Sequence, residues 1–87
     1  MPLFEYDKQK SIANASKHGF DFVEAQKLWE DERFVEIPAR TTEDPRYLAI
    51  GAIAGKSWSA VITFRGETIR IISVRRARIE EVEKYEG

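Results

Sequence analysis

Apolar positions recur along this chain with two different periods, and these divide it into a helical front and a strand-rich back. Residues 3–6 alternate, as a short edge strand does. Asp7 can accept the free N–H groups of a first helical turn, so a helix is predicted over 8–17 with Ile12 and Ala15 turned inward. Gly19 suits the left-handed residue that ends a helix. Lys17 and His18 then occupy the last turn, where cations complement the dipole. Asp21 and Glu24, spaced as in a capping box, open a second helix, and Phe22, Ala25, Leu28 and Trp29 give it an apolar stripe.

From Phe34 onward the period shortens. Residues 34–37 read as a strand ended by Pro38, and 40–45 as a polar loop. Strands follow at 47–53, 58–64 and 68–74, joined by short glycine-containing turns, which is the pattern of an antiparallel meander. Over 77–85, Ile79, Val82 and Tyr85 are spaced for a helix lying on the sheet. The predicted order is β-α-α-β-β-β-β-α. This is an α+β domain with a small antiparallel sheet, helices covering one face and the other face open.

The 87 residues suffice for a single domain, residues 1–87. Such a domain buries only roughly 60–65% of its unfolded surface, so its core is thin. The absence of cysteine excludes disulfides and thiolate zinc sites, and one histidine, His18, is too few for the usual histidine-rich metal sites. No cofactor is expected. No apolar run resembles a signal peptide or a membrane span, so the cytoplasm is the expected location.

Net charge is −1, yet the charges are segregated. Residues 65–78 hold five arginines and one acid, whereas 30–44 hold six acids and two arginines. A basic region on a neutral or acidic body is the expected surface, either a solvated face or a nucleic-acid footprint.

There is no P-loop and no dinucleotide fingerprint, and Glu5 with Asp7 is too sparse for a two-metal nuclease site. Lys17-His18-Gly19 is the one unusual local feature, and it reads first as a helix end with charges that favour the dipole. Trp29 and Trp58 read as core. An arginine among isoleucines, as in Arg70-Ile-Ile-Ser-Val-Arg-Arg-Ala-Arg, requires a polar destination. It can pair with a carboxylate such as Glu81, leaving Arg76 and Arg78 solvated. By simple alternation Arg70 and Arg75 face opposite ways, and they share a face only if a bulge intervenes or the strand ends early.

Several blocks in this order resemble the BrnT toxin family: Phe4-x-x-Asp7-x-x-Lys10-x-x-x-Asn14-x-x-Lys17-His18-Gly19, Arg46-x-x-x-Ile50-Gly51, Val61-x-Thr63-x-Arg65-Gly66, Ile69-Arg70-Ile71-Ile72-Ser73-x-Arg75-x-Ala77 and Glu81-x-x-x-Tyr85. The resemblance spans nearly the whole chain. It implies a RelE-like fold and a ribonuclease toxin that arrests translation. It also implies a ribbon-helix-helix antitoxin, a 2:2 complex with it, and promoter DNA bound only through that partner. Metal-free cleavage by the RNA 2′-hydroxyl needs a base, a charge stabiliser and an acid. On this reading Arg70 and Arg75 stabilise the phosphorane. His18 and Lys17 exchange protons or assist electrostatically, Tyr85 is an acid or positioning group, and Arg65, Arg76 and Arg78 hold the RNA backbone. The alternative is a non-catalytic RNA- or protein-binding module.

Overall fold

The computed structural model describes residues 3–39 and 45–86. Most of the loop expected at 40–45 therefore lies outside the described residues. The elements run β1 (Leu3–Tyr6), α1 (Lys8–His18), α2 (Phe22–Ala25), a 3-10 turn (Gln26–Glu30), β2 (Val35–Pro38), β3 (Tyr47–Ile53), β4 (Lys56–Arg65), β5 (Thr68–Arg76) and α3 (Ile79–Glu86). Asp7 caps α1 by accepting from the N–H groups of Gln9 and Lys10. Gly19 closes the helix at φ 72°, a conformation that costs glycine little. Asp21 caps α2 through the Glu24 N–H, while the Glu24 carboxylate turns to Lys27 instead of completing a capping box.

The five strands lie in the order β1-β5-β4-β3-β2. β2 to β5 form the expected antiparallel meander, but the sheet is mixed, not antiparallel, because β1 pairs parallel with β5 from Leu3↔Thr68 to Tyr6↔Ile71. The reason is topological. β5 ends the meander with one edge free, and α1 and α2 cover the face beside it, so the N-terminal strand that leads into them lies along that edge.

One face of the sheet carries the main core. Ala49, Trp58, Ala60, Ile62, Ile69, Ile71 and Val74 pack there under Phe22, Ala25 and Leu28. Phe4 and Tyr6 extend it from β1 with edge-on contacts to Trp29 and Phe22. Ile12 was expected inside and is 55% exposed. α1 instead turns Ser11 and Asn14 inward, because two backbone donors wait there. The Ser11 hydroxyl accepts from the Phe22 N–H at 3.0 Å. Asn14 Oδ1 accepts from the Val74 N–H at 3.2 Å, at a point where β1 no longer flanks β5. Its Nδ2 donates to the Phe20 carbonyl at 2.6 Å.

The register of β5 contains one irregularity. Ile62 pairs with Ile71 but Val61 pairs with Ser73, so β5 spends an extra residue, Ile72, opposite one step of β4. Ile69 and Ile71 point into the core, and after the bulge Val74 does too, in place of Ser73. Arg70, Ser73 and Arg75 consequently all lie on the second face, opposite Thr63, Val61 and Ser59.

The expectation that all helices share one face is also corrected. α3 packs on the second face, where Glu81 meets Ser59 and Arg75. Of the apolar residues expected to seat it, Ile79 is 78% exposed, and the buried residue is Glu81. The polar side chains of β4 and β5 on that face select a carboxylate over an isoleucine.

Replacing Asn14 with Ala is expected to lower stability by about 2 kcal/mol, since it strands the buried Val74 N–H and the Phe20 carbonyl. A shifted urea midpoint with an unchanged slope would bear this out, and an unchanged midpoint would refute it.

Candidate functional site

Among the described residues, the second face has a closed end and an open end. At the closed end α3 is pinned by acids. Glu81 is buried and receives four donors: Arg75 Nη1 at 2.8 Å and Nη2 at 2.7 Å, the Ser59 hydroxyl at 2.9 Å and the Arg78 N–H at 2.8 Å. The paired Arg75 guanidinium holds the Glu81 carboxyl down to about 2 against the opposing effect of burial, and Glu81 in turn raises Arg75. A bidentate pair at a half-buried site is among the stronger polar contacts available to a small domain.

Asp31 makes a second staple at the free edge of β3. Its Oδ2 accepts from the Ala52 N–H at 2.8 Å and from the Tyr85 hydroxyl at 2.5 Å, and its Oδ1 accepts from the Arg33 N–H. The Tyr85 hydroxyl and these backbone donors lower the Asp31 carboxyl, and Asp31 raises the Tyr85 hydroxyl. Gly51 makes room for this arrangement. A Cβ there would meet Leu28 Cδ2 at 3.2 Å and the Leu28 carbonyl at 3.3 Å.

The open end is different. A cavity of about 360 Å³ lies there, lined by Lys10, Pro45, Arg46, Thr63, Phe64, Arg70 and Ile72. Three cationic residues from three parts of the chain thus line it. Arg70 stands on β5, and Lys10 comes from the first turns of α1 just past the end of β1. Arg46 precedes β3, where its carbonyl accepts from the Ala39 N–H, and the neighbouring Pro45 carbonyl accepts from the Thr63 hydroxyl at 2.8 Å. Glu5, paired with Arg70 in the β1–β5 register, sits beside it on the same face. Its carboxylate is 3.6 Å from Arg70 Nη1 and 3.5 Å from Arg65 Nε. The bulge lines up Arg70 and Arg75 on one face, yet they stand roughly 15 Å apart at about 3.3 Å per residue.

The remaining expected residues lie elsewhere. Lys17 and His18 are exposed at the end of α1, on the helix-covered side of the sheet. Near that end Phe20 stacks on Trp58 with ring centroids 4.1 Å apart, and the Arg76 guanidinium lies 5.6 Å from the Trp58 ring centre. Arg78 is exposed and contributes its backbone N–H to Glu81. The structure therefore brings Arg70 and Arg65 together with Glu5, and Arg75 and Tyr85 into the two staples. Lys17, His18 and Arg76 are on the other side.

Sequence reasoning assigned no role to Lys10, Arg46, Thr63 or Glu5. Lys10 did carry a signal. It stands in a helical first turn that holds no acid, where a cation opposes the dipole, so its placement asks for a reason other than helix stability. Among the described residues no three His, Cys, Asp or Glu side chains are grouped to hold a metal ion, and no helix is long and apolar enough to cross a membrane.

A small mixed sheet thus carries a cationic cavity on its second face, the face that also bears α3, and such side chains can bind phosphate oxygens. The family of ribonuclease toxins BrnT, of type II toxin-antitoxin systems, matches residues 6–81, and the chain belongs to it. Among curated proteins no sequence matches the chain.

The Glu81 carboxyl makes a pH prediction. Its value is depressed in the fold, so its contribution is present above its ordinary value of 4.5 and disappears as the pH falls toward about 2. Glu81→Gln is expected to cost about 3 kcal/mol at pH 7. That gap from wild type should shrink steadily between pH 5 and pH 2 in urea unfolding, to within roughly 1 kcal/mol. Parallel curves across this window would refute the assignment.

Proposed function

We propose that this chain is the toxin of a type II toxin–antitoxin pair and cleaves RNA without a metal ion, with the cavity at Arg70 gripping the scissile phosphate. The observation that carries this reading is the convergence of Lys10, Arg46 and Arg70 on one cavity. RNA offers its 2′-hydroxyl as nucleophile, so the protein needs to supply charge stabilisation and proton transfer. Arginine suits the first task, because its planar fork meets two phosphate oxygens and stays protonated. Arg70 takes this role, Lys10 and Arg46 hold the flanking backbone, and Arg65 extends the cationic path. Membership of the toxin family supports the reaction class.

The other expected residues take roles that follow their positions. Arg75 and Tyr85 fix α3 against the sheet and so keep the second face in shape. Arg78 lies beside that staple as an outer contact for the RNA strand. Lys17 and Arg76, with His18 near them on the helix-covered side by the Phe20–Trp58 stack, suit a distal stretch of RNA. Following the family resemblance, the cellular outcome is arrested translation in the cytoplasm. The partner is a ribbon-helix-helix antitoxin in a 2:2 complex, which alone carries promoter DNA contacts.

Arg70→Ala is expected to reduce cleavage of single-stranded RNA by about 100-fold or more, the scale of losing one preorganised charge-stabilising group, with little change in the urea midpoint. Lys10→Ala and Arg46→Ala should each weaken RNA binding and lower the salt slope by about one. Wild-type cleavage should persist in EDTA and leave new 5′-hydroxyl ends. Salt-dependent binding without such ends would replace the enzyme reading with a binding module.

A further inference from the structure

From the placement of Glu5 we infer that its carboxylate is the general base that takes the proton from the attacking 2′-hydroxyl. The inference rests on the ribonuclease reading above and names the group that reading leaves open.

Elimination among the described neighbours of Arg70 leads there. Lys10, Arg46 and Arg65 are cations and have no lone pair to offer. The Thr63 hydroxyl is committed to the Pro45 carbonyl. Tyr85 is committed to Asp31. Asp31 and Glu81 have their carboxylates filled by donors and stand at the closed end under α3. His18 belongs to the helix-covered side. Glu5 differs from all of these. It is fixed on the open face by the β1–β5 register and its side chain is 35% exposed. Its contacts to Arg65 and Arg70, at 3.5 and 3.6 Å, are longer than hydrogen bonds and, among the described residues, leave its oxygens available.

The pairing with Arg70 also has the right chemistry. Arg70 can hold a non-bridging phosphate oxygen while Glu5, beside it, reaches the adjacent ribose. In the step, the 2′-oxygen loses its proton to Glu5 and forms a bond to phosphorus. The bond from phosphorus to the 5′-oxygen breaks, and that oxygen is protonated by water. The products are a 2′,3′-cyclic phosphate and a 5′-hydroxyl, and Glu5 returns its proton to solvent. A Glu5 that merely neutralised Arg65 and Arg70 would affect RNA binding and leave the pH dependence of cleavage intact.

Single-turnover cleavage of a short fluorescein-labelled single-stranded RNA tests this with the full chain. The wild type should show an acidic limb of unit slope in its pH–rate profile. Glu5→Gln should lose about 100-fold or more in rate and lose that limb. Its binding of an all-2′-deoxy analogue should be as tight as wild type or tighter, because a negative charge has gone. Glu5→Asp should recover part of the rate. A Glu5→Gln protein that cleaves within threefold of wild type, while Arg70→Ala is inactive, would overturn the inference and leave the ribonuclease reading standing. A wild-type profile without an acidic limb would overturn it too, whether or not the variants fold. A wild type that binds RNA and leaves it uncut would instead remove the reading on which the inference rests.

Discussion

Between Ile71 and Ser73, β5 carries one residue more than its partner strand has places for, and the geography of the second face depends on it. Strict alternation would send Arg75 into the core face and Val74 out of it. A guanidinium beneath α1, without a carboxylate there, would be costly. The bulge lets Ile69, Ile71 and Val74 feed one core while Arg70, Ser73 and Arg75 stay on the other side. One inserted residue thus reconciles a hydrophobic ladder with an arginine-rich strand.

Each face then has its own adhesive. The helix-covered face is held by apolar packing and by Asn14, which satisfies backbone groups at both ends of its amide. α3 is held by carboxylates, with Glu81 gathering Arg75, Ser59 and the Arg78 N–H, and Asp31 joining Tyr85 to the edge of β3. A chain of this size has too little apolar surface to fill two cores. Charged staples on the second face, beside the buried Ile50, secure a helix while spending little of that surface, and the Arg70 cavity lies at the far end of the same face.

Much of this was legible in advance. The meander, the caps at Asp7 and Gly19, and the stripe of Phe22, Ala25 and Leu28 follow from local chemistry that acts within a few residues. The parallel seat of β1 was not legible, because strand pairing over such a separation leaves no local trace. The inward face of α1 was misread at Ile12, since what draws Ser11 and Asn14 inward is the pair of backbone donors at Phe22 and Val74 rather than apolar burial. For the site, Arg70 stood out because an arginine amid isoleucines needs a polar outlet. Arg46 and Glu5 acquire meaning only beside it, and of the three only Lys10, a cation in a first turn without acids, hints locally at a task other than helix stability.

The parallel pairing of Leu3 with Thr68 has a kinetic side. Contacts between such distant parts of a chain form late, after the costs of closing long loops have been met. On a ribosome, the first strand leaves the exit tunnel long before its seat exists, and it waits there until the fifth strand follows. Glu5 and Arg70 therefore become neighbours only once the fifth strand has emerged, so a nascent chain that stops short of it lacks the assembled face.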